Sequence, residues 1–338
     1  MRVAVVGLGH VGGPLSAVLR RHHEVFGVDR DPTVPGAGPP PEEPVDIVVI
    51  AVPTPLGPEG PELSAVHAAA VRGVRWLVPD GLLVLASTCP VGTARGLAEA
   101  LGRDVVSLPE RGIPERMTEE MVQLDRLVGG TSPAATARAA AWVRTWCRGR
   151  VHEVTAEEAE LVKLVENSWR DVSIAFVNDL ATTAEAMGLD PARLVTLAEG
   201  HPRVALARPG IGGGGHCLPV DPHFLPATMT MSAAARAANT ARTRQVLETV
   251  RAAVRARGAT TVGVLGLTYK PEVADLRHSP ALALAEALGA LAHDPLVAEA
   301  TTPSVRRGSV AEVLACDLVV KLVAHGTYDS LTVDLDLT

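Results

Sequence analysis

The stretch Pro209-Gly210-Ile211-Gly212-Gly213-Gly214-Gly215-His216-Cys217-Leu218-Pro219-Val220-Asp221-Pro222 gathers the residue types that could do chemistry. Four consecutive glycines run into a His-Cys pair, and a carboxylate follows four residues after the thiol. Glycine runs let backbone approach a ligand closely and adopt positive φ. A thiol directly behind such a run is a candidate nucleophile, able to hold a carbonyl carbon covalently. Free cysteines also serve as small, inert apolar residues. The stretch alone therefore leaves two readings, a nucleophile or an ordinary Cys behind a flexible loop.

A second signature opens the chain. The apolar run Val3 to Val6 feeds Gly7-Leu8-Gly9-His10-Val11-Gly12, a helix is expected from Pro14 to Arg20, and a strand from His23 to Val28 ends in Asp29. In this order the glycines let backbone meet a pyrophosphate at a helix N-terminus, and the acid binds ribose hydroxyls. Asp29 would repel a 2′-phosphate, which favours NAD over NADP. Arg30 beside it is the opposing feature. Lys163 and Asn167, four apart in a helical stretch, share one face. On spacing alone that face reads as solvated.

These groups must be positioned by regular elements. Asp31 to Pro44 is rich in Pro and Gly and reads as a loop. A buried strand over Val45 to Val52 ends in Pro53-Thr54. A helix over Leu63 to Trp76 and a strand over Leu82 to Ala86 follow, with Ser87-Thr88 at the strand tip. Val105 to Leu108 leads to Pro109-Glu110. Such tips line the carboxyl edge of a doubly wound sheet, where ligands bind. Alternatively, Ser87 and Thr88 cap the helix starting near Thr93. Leu127 to Gly130 leads into a last strand and helix of this domain. From Ala156 to about Gly188 the pattern is helical without a breaker, and helices are expected over Pro191 to Ala198 and Ser232 to Arg257. Thr260 to Lys270 resembles the opening of another nucleotide-binding half, without a full G-x-G-x-x-G. Ser279 to Leu291 reads as helix, Asp317 to Val323 as strand, and Thr332 to Leu335 as a last strand. The fold class is α/β, with two Rossmann-like doubly wound domains joined by a central helical segment.

Composition narrows the function. A chain of 338 residues that is 47% hydrophobic can fill several cores. Its net charge of −7, with no basic run, argues against nucleic acid as a partner. Cys89, Cys147, Cys217 and Cys316 lie far apart, which offers neither a metal site nor a disulfide framework and suits a reducing cytoplasm. The chain starts directly on a strand pattern and contains no long uncharged apolar span. We therefore expect no signal peptide, no membrane partner and a cytoplasmic location.

At this point the sequence resembles the UDP-glucose/GDP-mannose dehydrogenase family. The resemblance runs in order through GLGHVGGPLS, VIAVPTPL, STCPVGT, LPE, AEEAELVKLVENSWRDVSIAFVNDL, GGHCLPVDPHFL and LGLTYKPEVADLRHSP. His216 before the Cys and Val-Asp-Pro after it look most like the branch that oxidises UDP-N-acetylhexosamines. The resemblance implies a four-electron oxidation of a sugar C6 alcohol to a carboxylate with NAD. It implies Cys217 as nucleophile, forming a thiohemiacetal and then a thioester. Lys163 and Asn167 match positions that stabilise an oxyanion, and Asp221 matches the acid that activates water or takes a proton. Thr88 and Glu110 match active-site positions at strand tips, and a further family glutamate falls near Pro114 or Glu115. The cofactor residues implied are Gly7, Gly9, His10, Val11, Gly12, Asp29, Arg30, Val52, Pro53, Thr54, Thr88 and Arg277. Those implied for the UDP-sugar are Arg208, Gly213, Gly214, His216 and Lys270. The domains would be an NAD-binding domain over 1–155, a central helical and dimerisation domain over 156–245 that carries the Cys loop, and a shortened UDP-sugar-binding domain over 246–338. The family's dimer element is the central helix, so a homodimer is expected.

Departures from the family pattern also stand out. The loop after Asp29 is shortened, Leu288 to His293 looks too tight for a helix followed by a strand, Cys89 replaces a usual apolar residue, and Asp179 stands where Glu is common. Two other functions compete: a specialised relative acting on another sugar nucleotide or smaller sugar, and a non-catalytic nucleotide-sugar-binding protein. Intact Cys217 and Lys163 count against the second.

Overall fold

The computed structural model describes residues 1–297 and 304–338, without the Glu115 side chain. Two compact units emerge: Met1–Glu166 with His223–Leu225, and Asn167–Pro222 with Pro226–Thr338.

The first unit is built on β1 (Arg2–Val6), α1 (Gly12–Leu19), β2 (Glu24–Val28), β3 (Val45–Ile50), the short β4 (Leu56–Gly57) and β5 (Gly60–Pro61), α2 (Ser64–Val74), β6 (Leu77–Leu85), α3 (Thr93–Leu101), β7 (Val105–Ser107), α4 (Met117–Gln123), β8 (Arg126–Gly130), α5 (Pro133–Val143) and β9 (Val151–Thr155). Seven strands form one sheet in the order β2-β1-β3-β6-β7-β8-β9. The β7–β8 pair is antiparallel, and the neighbouring pairs are parallel. Continuous Val/Ile/Leu runs suit strands covered on both faces. Accordingly Val3, Val5, Ile47 and Val49 pack on one side of the sheet, and Ala4, Val48 and Ile50 on the other.

Two expectations need adjusting here. The strand expected from Leu82 starts at Leu77 and runs through Pro79-Asp80-Gly81. Strand β9 carries no signal in the sequence, because Val151–Thr155 exposes His152, Glu153 and Thr155 and contains no apolar run.

Helix α6 (Ala156–Ala186) is one continuous 31-residue element, as the absence of Gly and Pro within it allows. Its later residues belong to the second unit, with α7 (Pro191–Ala198) and α8 (Thr230–Arg257). Asp190 caps α7, accepting from Ala192 N at 2.9 Å ahead of Pro191 at the first helical position.

The second sheet contains β10 (Val262–Leu265), β11 (Leu291–His293), β12 (Arg306–Arg307), β13 (Leu318–Lys321) and β14 (Leu335–Asp336), with α10 (Val310–Leu314) packed on β10 and β11 and α9 (Pro280–Leu288) sharing an apolar cluster with the strands. Its order is β12-β11-β10-β13-β14, all pairs parallel. The segment Leu288 to His293, expected to be too tight, does hold a helix end and a strand. Gly289, with φ +58°, ends α9 in the left-handed conformation and lets the chain turn straight into β11. The helix expected to reach Leu291 therefore stops at Leu288.

Candidate active site

In the first unit, the glycine turn after β1 is shaped by close approach. Gly7 N donates to Val28 O at 2.8 Å, tying the turn to the tip of β2. A Cβ on Gly12 would lie 1.8 Å from Gly7 O, so only glycine lets α1 start this close to β1. At Gly9, by contrast, a Cβ would meet nothing within 4 Å. That open space lies at the N-terminal end of α1, where backbone amides and the helix dipole favour an anion. His10 is exposed and Val11 half-buried beside it. Asp29 is half-buried; its Oδ2 accepts from Leu8 N at 2.7 Å and its Oδ1 from Asp31 N at 3.0 Å. Arg30 is exposed. Glycine turn, open cradle, helix start and strand-tip acid are the parts a dinucleotide needs, so these residues fit NAD.

The next strand tips belong to the same unit. Thr54 Oγ1 donates to Thr88 O at 2.8 Å, and Ser87 Oγ donates to Val52 O at 2.7 Å. Ser87 and Thr88 therefore do not cap α3, contrary to the alternative above. Glu160 on α6 does so instead, accepting from Gly92 N at 2.7 Å and Ala94 N at 2.8 Å. Burial pushes the Glu160 carboxyl above its usual range, against the pull of those two amides. Glu110 is buried and fully engaged: Oε1 accepts from Arg111 N and Gly112 N at 2.8 and 2.7 Å, and Oε2 from both Arg126 terminal nitrogens at 3.0 Å. Pro114 opens a short 3₁₀ turn, and the Glu115 side chain lies outside the described residues. Lys163 is 9% exposed and Asn167 4%, so the solvated Lys-Asn face expected from spacing is wrong: periodicity sets which residues share a face, not whether that face is covered.

In the second unit, the glycine loop is suspended from two helices. Gly210 N donates to Asn178 Oδ1 on α6 at 2.8 Å. From α8, Arg242 Nε donates to Gly210 O at 3.0 Å and Thr243 Oγ1 to Ile211 O at 2.8 Å. Asn178 Nδ2 donates to Asn239 Oδ1 at 2.8 Å, and Asn239 Nδ2 donates to the buried Asp171 carboxylate at 2.9 Å, which also pairs with Arg236. The loop then passes under Tyr269: Gly215 has φ +97°, and a Cβ there would lie 2.9 Å from the Tyr269 ring. Cβ atoms on Gly213 and Gly214 would clash with Arg236 and His278 O, each at 2.8 Å.

Behind the loop, the Cys217 carbonyl accepts from Val220 N at 3.0 Å and Asp221 N at 2.8 Å, a turn that ties the Asp221 backbone to that of the Cys. Cys217 Sγ lies 3.7 Å from Nδ1 of the exposed His216. Asp221 is buried and accepts a hydrogen bond from Asn167 Nδ2. Arg277 is half-buried, held by Asp275 at 2.9 and 3.0 Å. Its guanidinium is held above its usual range, first by the Asp275 bond and also by the Cys217 charge. Lys270 is exposed, and Arg208 is exposed and paired with Glu199 at 2.9 Å.

The second unit therefore brings together Cys217, Asn167 and Asp221, while Thr88, Glu110, Lys163 and the glycine turn with Asp29 belong to the first. Sequence reasoning missed the residues that hold these groups: Arg126, Glu160, Arg242 and Asp275. Only Asp275, two residues before Arg277, carried a usable signal. The others act across 16 to 68 positions of sequence.

Three models of the UDP-glucose/GDP-mannose dehydrogenase family match in order: its NAD binding domain over residues 41–147, its central domain over 157–248 and its UDP binding domain over 263–336. An NDP-N-acetyl-D-galactosaminuronic acid dehydrogenase of Ralstonia nicotianae is 32% identical, over 98% of this chain and 92% of that protein. A UDP-N-acetyl-D-mannosamine dehydrogenase of Salmonella typhi is 31% identical, over 98% of this chain and 95% of that protein. The solved UDP-D-ManNAc dehydrogenase of Pyrococcus horikoshii superposes with a TM-score of 0.89 at 29% identity, covering 98% of this chain and 91% of that one.

Proposed function

The chain belongs to the UDP-glucose/GDP-mannose dehydrogenase family, and on that premise we propose that it oxidises the C6 alcohol of a UDP-N-acetylhexosamine to the carboxylate through a Cys217-bound intermediate. Membership makes it an NAD-dependent nucleotide-sugar dehydrogenase. The observation that carries the finer reading is the Cys217–Asp221 turn, with Asp221 buried and held by Asn167.

Bound there, NAD would supply the hydride acceptor for C6 in each of the two oxidations. Gly7, Gly9 and Gly12 would cradle its pyrophosphate with His10 and Val11 alongside, and Asp29 would take its ribose hydroxyls. Val52, Pro53, Thr54 and Thr88 would flank the rest, with Arg277 reaching its charge. The Cys217 thiolate attacks the C6 aldehyde, dividing one hard oxidation into two easier ones and retaining the aldehyde as a thiohemiacetal. Its oxidation leaves a thioester, which water cleaves to release the acid and the free thiol. Asp221 takes the proton from that water, and Asn167 holds its carboxylate in place. Lys163 stabilises the developing oxyanion, where a fixed buried cation is most effective. With both oxygens of its carboxylate engaged, Glu110 fixes the strand tip rather than moving a proton. His216, Gly213, Gly214, Lys270 and Arg208 would contact the UDP-sugar. The functional segments remain 1–155, 156–245 and 246–338, working as a cytoplasmic homodimer through α6.

The test is NADH formation with UDP-N-acetylmannosamine, UDP-N-acetylgalactosamine, UDP-N-acetylglucosamine and UDP-glucose. Two NADH per N-acetylhexosamine are expected, with UDP-glucose turned over poorly. Cys217→Ala should abolish acid formation; normal acid output from that variant would remove the covalent step. Tight UDP-sugar binding without any NADH would mark a binding protein instead.

A further inference from the structure

The two sheets open alike. Gly266, at φ +89°, follows β10 as Gly7, at φ +87°, follows β1. Gly266 N donates to His293 O at 2.9 Å, the counterpart of Gly7 N to Val28 O at 2.8 Å. Leu267 N donates to Asp294 Oδ2 at 2.7 Å, and Leu8 N to Asp29 Oδ2 at the same 2.7 Å. Asp294 is thus the second unit's equivalent of the ribose acid of the first.

What surrounds the two acids differs. Asp29 is half-buried and stands at the open glycine cradle. Asp294 is 4% exposed, takes a second amide from Thr268 N at 3.1 Å, and has His325 Nε2 at 3.3 Å. His325 is fully buried, with Tyr328 packed edge-on at 5.8 Å.

The Glu272 amide fixes the tautomer of the imidazole. Glu272 N donates to His325 Nδ1 at 3.1 Å, so Nδ1 carries no proton and Nε2 does. Nε2–H then faces Thr268 Oγ1 at 3.0 Å as well as Asp294. The Thr268 hydroxyl in turn donates a hydrogen bond to Lys270 O at 3.0 Å. One buried ring therefore holds the chain on both sides of Lys270-Pro271: the Glu272 amide directly and the Lys270 carbonyl through Thr268. Gly326 N adds a bond to Glu272 Oε1 at 2.7 Å. Glu272 has φ +60°, a conformation that a non-glycine residue keeps only when its surroundings enforce it.

We propose that His325 is a positioning residue for nucleotide binding: it seals the acid that would otherwise receive a ribose and uses that anchor to lock the 268–272 turn, so that Lys270 meets the UDP phosphates. This rests on the assignment of Lys270 to the substrate in the proposed function. A lysine at the tip of an exposed turn loses side-chain and backbone freedom on binding, and a turn fixed beforehand removes the backbone share of that cost.

The test uses the full chain and calorimetric titration with UDP alone, with NAD titration beside it. Lys270→Ala and His325→Ala should each weaken UDP binding by about tenfold, the loss expected for one or two hydrogen bonds, while NAD affinity holds. His325→Asn, which keeps an acceptor on the Glu272 side, should recover most of the loss. UDP bound normally by His325→Ala while Lys270→Ala is impaired would overturn the inference and spare the assignment of Lys270. So would an Asn variant no better than Ala, with NAD affinity falling in step, because that marks general loosening. Normal UDP binding by Lys270→Ala would instead sink the assignment itself. If His325→Ala fails to fold, Thr268→Val cuts the link to Lys270 O without emptying the core. The proposal expects it to weaken UDP binding, and wild-type affinity there would refute it.

Discussion

Asp29 commits each carboxylate oxygen to one backbone amide, yet it stays half-buried at the edge of the glycine cradle. Each oxygen keeps a lone pair for a ribose hydroxyl. Asp29→Ala should weaken NAD binding by about 1.5–3 kcal/mol for each charge-assisted hydrogen bond lost; unchanged affinity in a calorimetric titration would contradict the ribose role. The glycines and Asp29 were legible because the chemistry dictates their spacing along one short stretch. Cys217 was legible as a candidate only, since nothing local separates a nucleophile from an inert thiol. Asp294 and His325 were not read at all, although an acid directly after the strand that follows Gly266 repeats the Gly7 to Asp29 pattern. His325 could not be read, because its partners Glu272 and Thr268 lie 53 and 57 residues away.

Elements were legible where a local signal sets their limits, and less so where tertiary contacts do. Helix α7 appeared within its expected limits because Asp190 and Pro191 cap it locally. Strand β6 begins earlier than its apolar run, because pairing with β3 pulls Leu77 into register opposite Val45. The starts of β10 and β13 show another long-range fastening. Asp317 accepts from Thr260 N, Thr260 Oγ1 and Thr261 N at 2.8, 2.7 and 2.8 Å. These bonds, the Thr260 hydroxyl first, lower its carboxyl from 3.8 to about 2. A depressed folded-state value means a stabilising contribution that is complete above the unfolded value of 3.8 and lost as pH falls through about 2. Stability of the wild type should therefore decline across that interval in denaturant titrations. Asp317→Asn should lack this part of the decline, and an identical acid limb in both proteins would exclude the fastening.

At the scale of the molecule, α6 carries Val165, Trp169 and Phe176 at helical spacing, exposed to 42%, 68% and 60%. Large exposed aromatics along one helix face are the kind of surface that the homodimer proposed above would cover. Trp169→Arg combined with Phe176→Asp should give a monomer in light scattering while leaving the helix folded. A stable dimer from that variant would place the interface elsewhere. Among the described residues no helix is long and apolar enough to cross a membrane. The order of the three family segments was legible in the motifs, because the longest of them sit at a glycine-bearing turn or inside one long helix. The division into two compact units was not, since α6 runs through the cut between Glu166 and Asn167.

The sealed acid has a consequence for the empty enzyme. In the half that ends on Asp294, the polar groups around the glycine turn already satisfy one another, so that half reaches its final shape without a guest. The half that carries Asp29 keeps the same backbone bonds but leaves its acid half-exposed beside the open glycine cradle; a ligand at a hundredfold excess over its dissociation constant adds about 2.7 kcal/mol to the folded state. Water therefore reaches the acid of one turn and not that of the other, and the amide proton of Leu8 should exchange with solvent before that of Leu267.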